Sequence, residues 1–344
     1  MVGRRHLAGQ LPERHMESAM QFARVILAAG IVALPGAGWN IHAQDAVSKE
    51  QFDLLMREVS NQGRWGAEDE LGTVNLITPA RRIAAARLVM DGITLSLAHE
   101  TLTDETADNP NPYTHSIFTI EAAPEWFFDR IEVGYHGFVH SHLDALCHRF
   151  YDGETYNGHP IRVVDEAGCN AAGITAMEDG IFTRAVLVDL PRLRGVPWLE
   201  PGTAIYSDDL DAWERQFETS IEPGDVVLFR TGRWARREAR GPWNVAEAAA
   251  GLHYTTASWL HARDVAVVGS DAVTDVSPSG VDNNPWPLHT LLLAAMGTPI
   301  FDSLDLEAVA EYAAAVERWE FAIATAPLRV PGGTGSPLNP IAIF

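Results

Sequence analysis

The sequence predicts one α/β domain over residues 46–344, behind a separate leader at residues 1–45. Segments with helical periodicity mix with short apolar segments that are typical of buried strands. No repeat of fixed period occurs, and no linker of low complexity divides the body of the chain. A chain of 344 residues, 47% of them hydrophobic, is long enough to bury a large core.

The leader has the three-part order of a secretory signal peptide. Arg24 precedes an apolar run at residues 25–34, which is too short to span a membrane. A stretch of small residues then ends at a cleavage site after Ala43 or Gln44. We therefore expect a periplasmic or secreted protein with no stable membrane insertion after processing. The alternative is an N-terminal helix docked on the body, which would leave the protein in the cytoplasm.

The elements of the body follow from local patterns. Residues 46–60 carry apolar side chains at helical spacing, and Thr78 is the expected N-cap of a helix at 79–89. A turn-rich loop at 102–114 is the kind of segment that lines a substrate entrance. The other predicted elements are strands at 93–99, 185–190, 225–230, 265–269 and 321–325, and helices at 256–263, 288–296 and 303–317.

The formal net charge of −21 excludes two classes of partner. Nucleic acid phosphates and anionic membrane surfaces would both be repelled, and no basic stretch in the body offsets the charge. An anionic small molecule is not excluded, because a bound metal ion would be locally positive. We therefore expect a small-molecule substrate.

The densest cluster of chemically active side chains lies between residues 136 and 148. His136, His140, His142 and Asp144 share one parity, so an extended strand would project them from one face. Imidazole and carboxylate are ligands of zinc and manganese. A single buried histidine is usually a core residue, but several crowded beside a carboxylate would be costly to bury without a metal ion. His148 lies four residues beyond Asp144 and could sit near the metal without binding it, which is where a general acid or base is needed.

This segment resembles the core motif of the cyclase family of metal-dependent hydrolases, which includes bacterial kynurenine formamidase and isatin hydrolase. The family motif is H-x-G-T-H-x-D-x-P-x-H, and residues 141–144 together with His148 match its T-H-x-D and its last histidine. Phe138 falls where the first metal-binding histidine belongs, and His140 and Leu146 replace the glycine and the proline. Further matches in the family's order are at 64–76, 223–232, 268–271 and 335–340.

The resemblance implies a swivelling β/β/α fold, with a mixed sheet partly closed into a barrel and helices outside, and a homo-oligomer. It also implies that His289 and Asp302 complete the metal centre, which holds one or two ions. Asp302 replaces the family's glutamate, and its alternative role is to cap the following helix. The ligand missing at Phe138 is supplied by His136 or by His140. We favour His136, since Gly137 lets the chain bend.

The activity implied by the resemblance is hydrolysis of a small non-peptide amide, cyclic amide or lactone by metal-activated water, similar to aryl formamide and isatin chemistry. The chain contains no G-x-S-x-G segment, so a serine nucleophile of that type is excluded. The alternative is an exported, non-catalytic protein that binds a metal ion or a small ligand on the same fold, because Phe138 and Asp302 depart from the family pattern.

Two local features have competing interpretations. Cys147 and Cys169 are too few for a disulfide scaffold, and we interpret Cys147 as a small buried thiol rather than a nucleophile. The consecutive aromatic residues Trp126, Phe127 and Phe128 are too many for one face of a strand. Each packs in the core, lines the substrate pocket or forms a subunit contact.

Overall fold

The computed structural model describes residues 47–344, so the leader predicted at residues 1–45 lies outside the described residues. The α-helices are α1 (Lys49–Glu58), α2 (Pro79–Ala86), α3 (Leu190–Arg194), α4 (Ser207–Phe217), α5 (Arg233–Arg240), α6 (Thr256–Ala262), α7 (Pro287–His289) and α8 (Glu307–Val316). A π-helix spans Thr290–Met296, and 3₁₀ turns span Gly72–Leu76, Leu146–His148, Tyr156–Gly158, Ile161–Val163 and Ile174–Met177. Within this part of the chain, no helix is both long and apolar enough to cross a membrane.

The strands are β1 (Thr94–Ser96), β2 (Thr114–Ile120), β3 (Ala123–Glu132), β4 (His142–Asp144), β5 (Val164–Asp165), β6 (Gly168–Cys169), β7 (Ile181–Asp189), β8 (Ala204–Ile205), β9 (Val226–Arg230), β10 (Gly251–Leu252), β11 (Val267–Ser270), β12 (Ile300–Asp302), β13 (Glu320–Thr325), β14 (Gly335–Pro337) and β15 (Ile341–Ile343).

Nine of these strands form one mixed sheet in the order β1-β15-β13-β7-β9-β11-β12-β4-β14. Strands β7, β9, β11 and β12 are parallel, and the strands on either side of them pair antiparallel. The central residues of the parallel strands are apolar because both faces of the sheet are buried there, and polar residues such as Asp189, Arg230 and Asp302 stand at the strand ends. The sheet curls into a half-barrel, which confirms the predicted α/β fold.

Two of the segments that resemble family motifs meet at the end of the parallel strands. Asp271 follows β11 and is fully buried. Its carboxylate accepts hydrogen bonds from the backbone N–H groups of Thr231, Gly232 and Arg233 and from the Thr231 hydroxyl. The segments at 223–232 and 268–271 therefore lie side by side, and Asp271 joins the end of β11 to the end of β9.

Most of the helix and strand predictions are confirmed, with Thr78 accepting a hydrogen bond from the Arg81 N–H as the cap of α2. The predicted helix at 303–317 begins later, at Glu307, because the backbone N–H groups of residues 303–305 bond to the carbonyls of Ala272, Ser270 and Leu97 instead. The prediction that an extended strand runs through residues 136–144 is wrong, since only β4 is extended and the residues before it bend.

Strands β2 and β3 form an antiparallel hairpin that is exposed along most of its length. Trp126 is 64% exposed and Phe127 is 76% exposed, while Phe128 stacks on Phe118 within the hairpin. Core packing is therefore the wrong interpretation for Trp126 and Phe127, and neither residue lines the cavity at the histidine cluster. The sequence pattern predicts burial, but the hairpin projects from the body.

Cys147 and Cys169 form a disulfide, so the interpretation of Cys147 as a free thiol is wrong. The two residues are 22 positions apart, and their Cα atoms are 6.5 Å apart. Cys169 lies in the short pair of strands β5 and β6, and Cys147 lies in the 3₁₀ turn that ends at His148. The bond therefore fixes the turn beside that histidine.

Candidate metal centre

The register of three strands assembles the centre of the site. β4 lies between β12 and β14, and Asp302 is directly opposite His142 in the antiparallel pair of β4 and β12. Residues opposite each other project from the same face, and so do residues two apart on one strand. His142, Asp144 and Asp302 therefore face the same side, and all three are buried.

One group of possible ligands consists of His136, His142 and Asp144. His136 Nδ1 lies 2.9 Å from Asp144 Oδ1, and His142 Nε2 lies 3.5 Å from the same oxygen. Although Oδ1 is buried, no donor within the described residues is aligned to form a hydrogen bond with it. Two nitrogens and an oxygen that approach closely without bonding one another have the arrangement of ligands directed at a common centre.

A second group consists of Asp144, His289 and Asp302. His289 Nε2 lies 3.0 Å from Asp302 Oδ2 and 3.7 Å from Asp144 Oδ2. The two oxygens of Asp144 therefore divide between the groups, Oδ1 toward the first and Oδ2 toward the second. Asp144 would therefore contribute one oxygen to each group if a metal ion were bound.

In His136 and His142, the ring nitrogen that points away from Asp144 already has a partner. His142 Nδ1 donates to the carbonyl oxygen of His140 at 2.7 Å, and His136 Nε2 lies 2.9 Å from the Thr334 hydroxyl. Each ring therefore presents its other nitrogen to Asp144. Such partners fix the ring orientation and the tautomer of histidines that bind metal ions.

His289 and Asp302 are oriented in the same way, by residues that the sequence did not single out. His289 Nδ1 donates to Asp275 Oδ2 at 2.5 Å, and Asp275 also accepts the backbone N–H groups of Leu288 and His289. Asp302 Oδ1 accepts two hydrogen bonds from Thr274. Asp275 and Thr274 lack a spacing pattern that would have identified them, since they lie in an irregular loop after β11.

The charges of the buried groups fit a divalent cation. Asp144, Asp275 and Asp302 surround His289 and are each at most 3% exposed. Burial would lower the pKa of His289, but Asp302 and Asp275 raise it well above its ordinary value. Burial would likewise raise the pKa of Asp144, yet His148 and His142 hold it below its usual range. Three buried carboxylates need a positive charge, and a metal ion would supply it.

His148 lies beside the two groups and belongs to neither. Its ring stacks on the His136 ring with the centroids 3.9 Å apart and the planes 8° apart. Burial lowers the pKa of His148 to about 4, against the opposing effect of Asp144. The imidazole is therefore neutral near pH 7, which is the form that can accept a proton.

The other candidate residues occupy different places. His140 lies outside both groups and faces a separate cavity, so its predicted place beside His142 and Asp144 is wrong. The bend before β4 turns its ring away. Gly137 has an ordinary φ angle and a β-carbon there would contact nothing, so the bend does not depend on a glycine. Asp302 ends β12 and does not cap α8, whose N-cap is Leu306.

A cavity of about 350 Å³ opens onto the site. Phe138, Val273 and Trp286 form apolar walls. Phe138, which aligns with the first metal-binding histidine of the family motif, is thus part of a wall rather than a ligand. Arg149 also lines the cavity, with its guanidinium held by Thr290 and by Asn284. The site thus combines histidine and aspartate side chains that could hold a metal ion, a neutral histidine and a pocket large enough for a small molecule.

Comparisons with known proteins identify the family. The family model named Cyclase matches residues 74–275. A crystal structure described as a novel cyclase is 30% identical, with 84% of this chain and 99% of that chain covered and a TM-score of 0.75. The chain belongs to the cyclase family.

More distant members of known structure share the cyclase fold. Isatin hydrolase A from Ralstonia solanacearum is 21% identical, with 77% of this chain and 97% of that chain covered and a TM-score of 0.54. Isatin hydrolase A from Labrenzia aggregata, bound to benzyl benzoate, is 18% identical, with 73% and 94% covered and a TM-score of 0.54. No curated protein matches the chain.

Proposed function

We propose that this cyclase-family protein is a metal-dependent hydrolase of a small non-peptide amide, cyclic amide or lactone. The observation that carries the proposal is the convergence of two ligand groups on Asp144, with His148 free beside them. His136, His142, Asp144, His289 and Asp302 would hold one or two divalent ions, zinc or manganese by the chemistry of their nitrogen and oxygen atoms.

The residues of the chain supply proton transfer and positioning. A divalent ion held by these residues would lower the pKa of water and polarise a carbonyl group. The neutral His148 accepts the proton of the attacking water and returns it to the leaving nitrogen or oxygen. The stacked His136 ring and the disulfide at Cys147 keep the His148 ring in place. Phe138 and Trp286 provide apolar walls that would contact the substrate beside the ligand groups.

The cavity supports a substrate with one small ring system. Its volume of about 350 Å³ is at the lower end for small-molecule sites, and its walls are largely apolar. Arg149 lines the cavity, is oriented by Thr290 and Asn284, and would bind an electron-rich substituent of the substrate. Cyclic amides such as isatin, acted on by two of the structural relatives, and aryl formamides have this size and polarity.

Turnover with controlled metal content tests the proposal. Protein stripped with a chelator and reloaded with zinc or manganese is assayed on aryl formamides, isatin-type lactams and lactones. We expect turnover only with metal. Metal-dependent stabilisation without turnover on any of these substrates would instead support the non-catalytic binding protein. A His261→Gln variant, altered on α6 outside the cavity, serves as the matched control.

We also propose that the protein is exported. The disulfide between Cys147 and Cys169 supports this, since such bonds persist in oxidising compartments and are rare in the cytosol. Expression in the native host with the natural leader should give a protein outside the cytoplasm that starts near Gln44 or Asp45. A cytoplasmic product that retains residues 25–43 would contradict export.

A further inference from the structure

A second cavity, of about 480 Å³, lies on the other side of the segment that carries His140 and His142. It shares no lining residue with the cavity at the metal centre. Ser141 and Leu338 form part of its floor, and Ile131 and Val133 reach it from the base of the β2–β3 hairpin. The two cavities are therefore separate binding spaces.

His140 is a polar residue buried at this cavity whose side chain lacks a partner. It is 6% exposed, and within residues 47–344 neither ring nitrogen has a hydrogen-bond partner. Burial lowers the pKa of His140 and a backbone hydrogen-bond contact with Asn111 opposes this, but that contact is too poorly aligned to count as a full hydrogen bond. A buried imidazole with neither nitrogen satisfied costs free energy unless something else bonds to it.

The surroundings hold the ring and its neighbours in place. Tyr113 lies against His140 with the ring centroids 6.2 Å apart. His99 stacks on Trp234 at 3.7 Å, and its backbone N–H donates to the Ser141 hydroxyl, which in turn donates to the Ser303 carbonyl. The cavity walls are thus fixed before any ligand enters.

We propose that this cavity binds a small, uncharged, largely apolar molecule through a hydroxyl or carbonyl group that bonds to the His140 ring. The residues lining the cavity include no lysine or arginine, and Glu100 at its edge would repel an anion. Ile131, Val133 and Leu338 supply apolar contacts. An imidazole can donate from one nitrogen and accept at the other, which matches a hydroxyl group.

Phenol is a suitable probe, since it is uncharged at pH 7 and has no bond that a hydrolase cleaves. Its affinity for the full chain is measured by calorimetric titration. His140→Phe keeps a ring of similar volume but removes both nitrogens, and should weaken binding about tenfold or more. Val133→Trp should fill the cavity and abolish binding. His261→Phe is the matched control and should bind as the unaltered protein does.

The location of the phenol is tested with Phe138→Trp, which narrows the metal cavity only. Unchanged affinity in this variant supports the second cavity, whereas lost affinity would assign phenol to the metal cavity and overturn the proposal. Undiminished phenol binding by Val133→Trp would also overturn the proposal. This variant therefore tests the second cavity even if His140→Phe fails to fold. Absence of binding to the unaltered chain would have the same consequence. Circular dichroism of each variant establishes that it is folded.

Discussion

Asp144 is the single residue that both ligand groups share. Asp144→Asn removes its negative charge from the centre of the site, so we expect bound metal and turnover to be lost together.

His148→Ala should keep the metal and lower turnover about a hundredfold or more, the usual scale for general acid-base catalysis. Elemental analysis and steady-state kinetics on both variants measure the two effects. Normal metal content in Asp144→Asn, or loss of metal in His148→Ala, would reverse the assigned roles.

Gly335 makes room for the His136 ring. A β-carbon at this position would lie 2.8 Å from His136 Cε1 and 2.6 Å from the Leu143 carbonyl oxygen. Gly335→Ala should therefore displace His136 and weaken metal binding about ten- to a hundredfold, the range for altered support of a ligand. Gly137→Ala is the matched control, since its β-carbon would meet nothing within 4 Å.

Metal titration of these variants also ranks the two candidate histidines. His136→Ala should weaken metal binding at least as much as Gly335→Ala does, while His140→Ala should have a smaller effect. A larger defect in His140→Ala would return the ligand role to His140. Equal defects in Gly335→Ala and Gly137→Ala would show that the space for the ring is unimportant.

His253 makes the stability of the fold depend on pH. Burial lowers its pKa to about 4, below the value near 6.5 of an unfolded histidine. The unfolded chain therefore binds more protons between these values, and stability is lost as the pH falls from about 6.5 to about 4. Allowing for solvent screening, we expect His253→Gln to remove about 1 kcal/mol of the stability difference between pH 7 and pH 5. Urea unfolding at both pH values measures this, and equal differences in the two proteins would contradict it.

At the scale of elements, the β2–β3 hairpin exposes apolar side chains that a partner subunit would cover. A two-stranded hairpin that projects alone is marginally stable, and this one exposes Ile117, Trp126 and Phe127. Because the family resemblance implies a homo-oligomer, we expect a second copy of the chain to cover these side chains. Trp126→Ser with Phe127→Ser should then shift the protein to monomers in sedimentation experiments. Met90→Ser, at another exposed apolar residue, is the control, and an unaltered protein that is already monomeric would contradict the expectation.

At the scale of the whole molecule, one covalent bond joins the histidine turn to the β5–β6 region. Closing a loop of 22 residues should stabilise the fold by about 3 kcal/mol. Cys147→Ser with Cys169→Ser should lose this amount in chemical unfolding and should also lower turnover, because His148 directly follows Cys147. Chemically reduced, unaltered protein is the control and should behave as the double variant does. Full stability in both would leave the bond without a structural role.

Local patterns in the sequence predicted most of the strands and helices and the common face of His142 and Asp144, whereas the places of His289 and Asp302 followed only from the family resemblance. Periodicity identified β9 and β11, and the spacing of His142 and Asp144 indicated one shared face. These patterns failed where a contact between distant segments decides the structure. The pairing of Cys147 with Cys169, the hydrogen bond from His289 to Asp275 and the exposure of Trp126 all depend on how remote segments meet.

The position of β4 beside the last strand of the sheet has a mechanical consequence. β14 is the edge strand, and only three residue pairs join it to β4. His136 packs against Gly335 of β14, His142 and Asp144 belong to β4, and Asp302 belongs to β12. An ion bound to these side chains would join β12 to β4 and, through His136, hold the edge strand β14 in place. Metal binding and stabilisation of this edge of the sheet would then be coupled, so that without metal β14 should separate from β4 more readily than the central strands separate from one another.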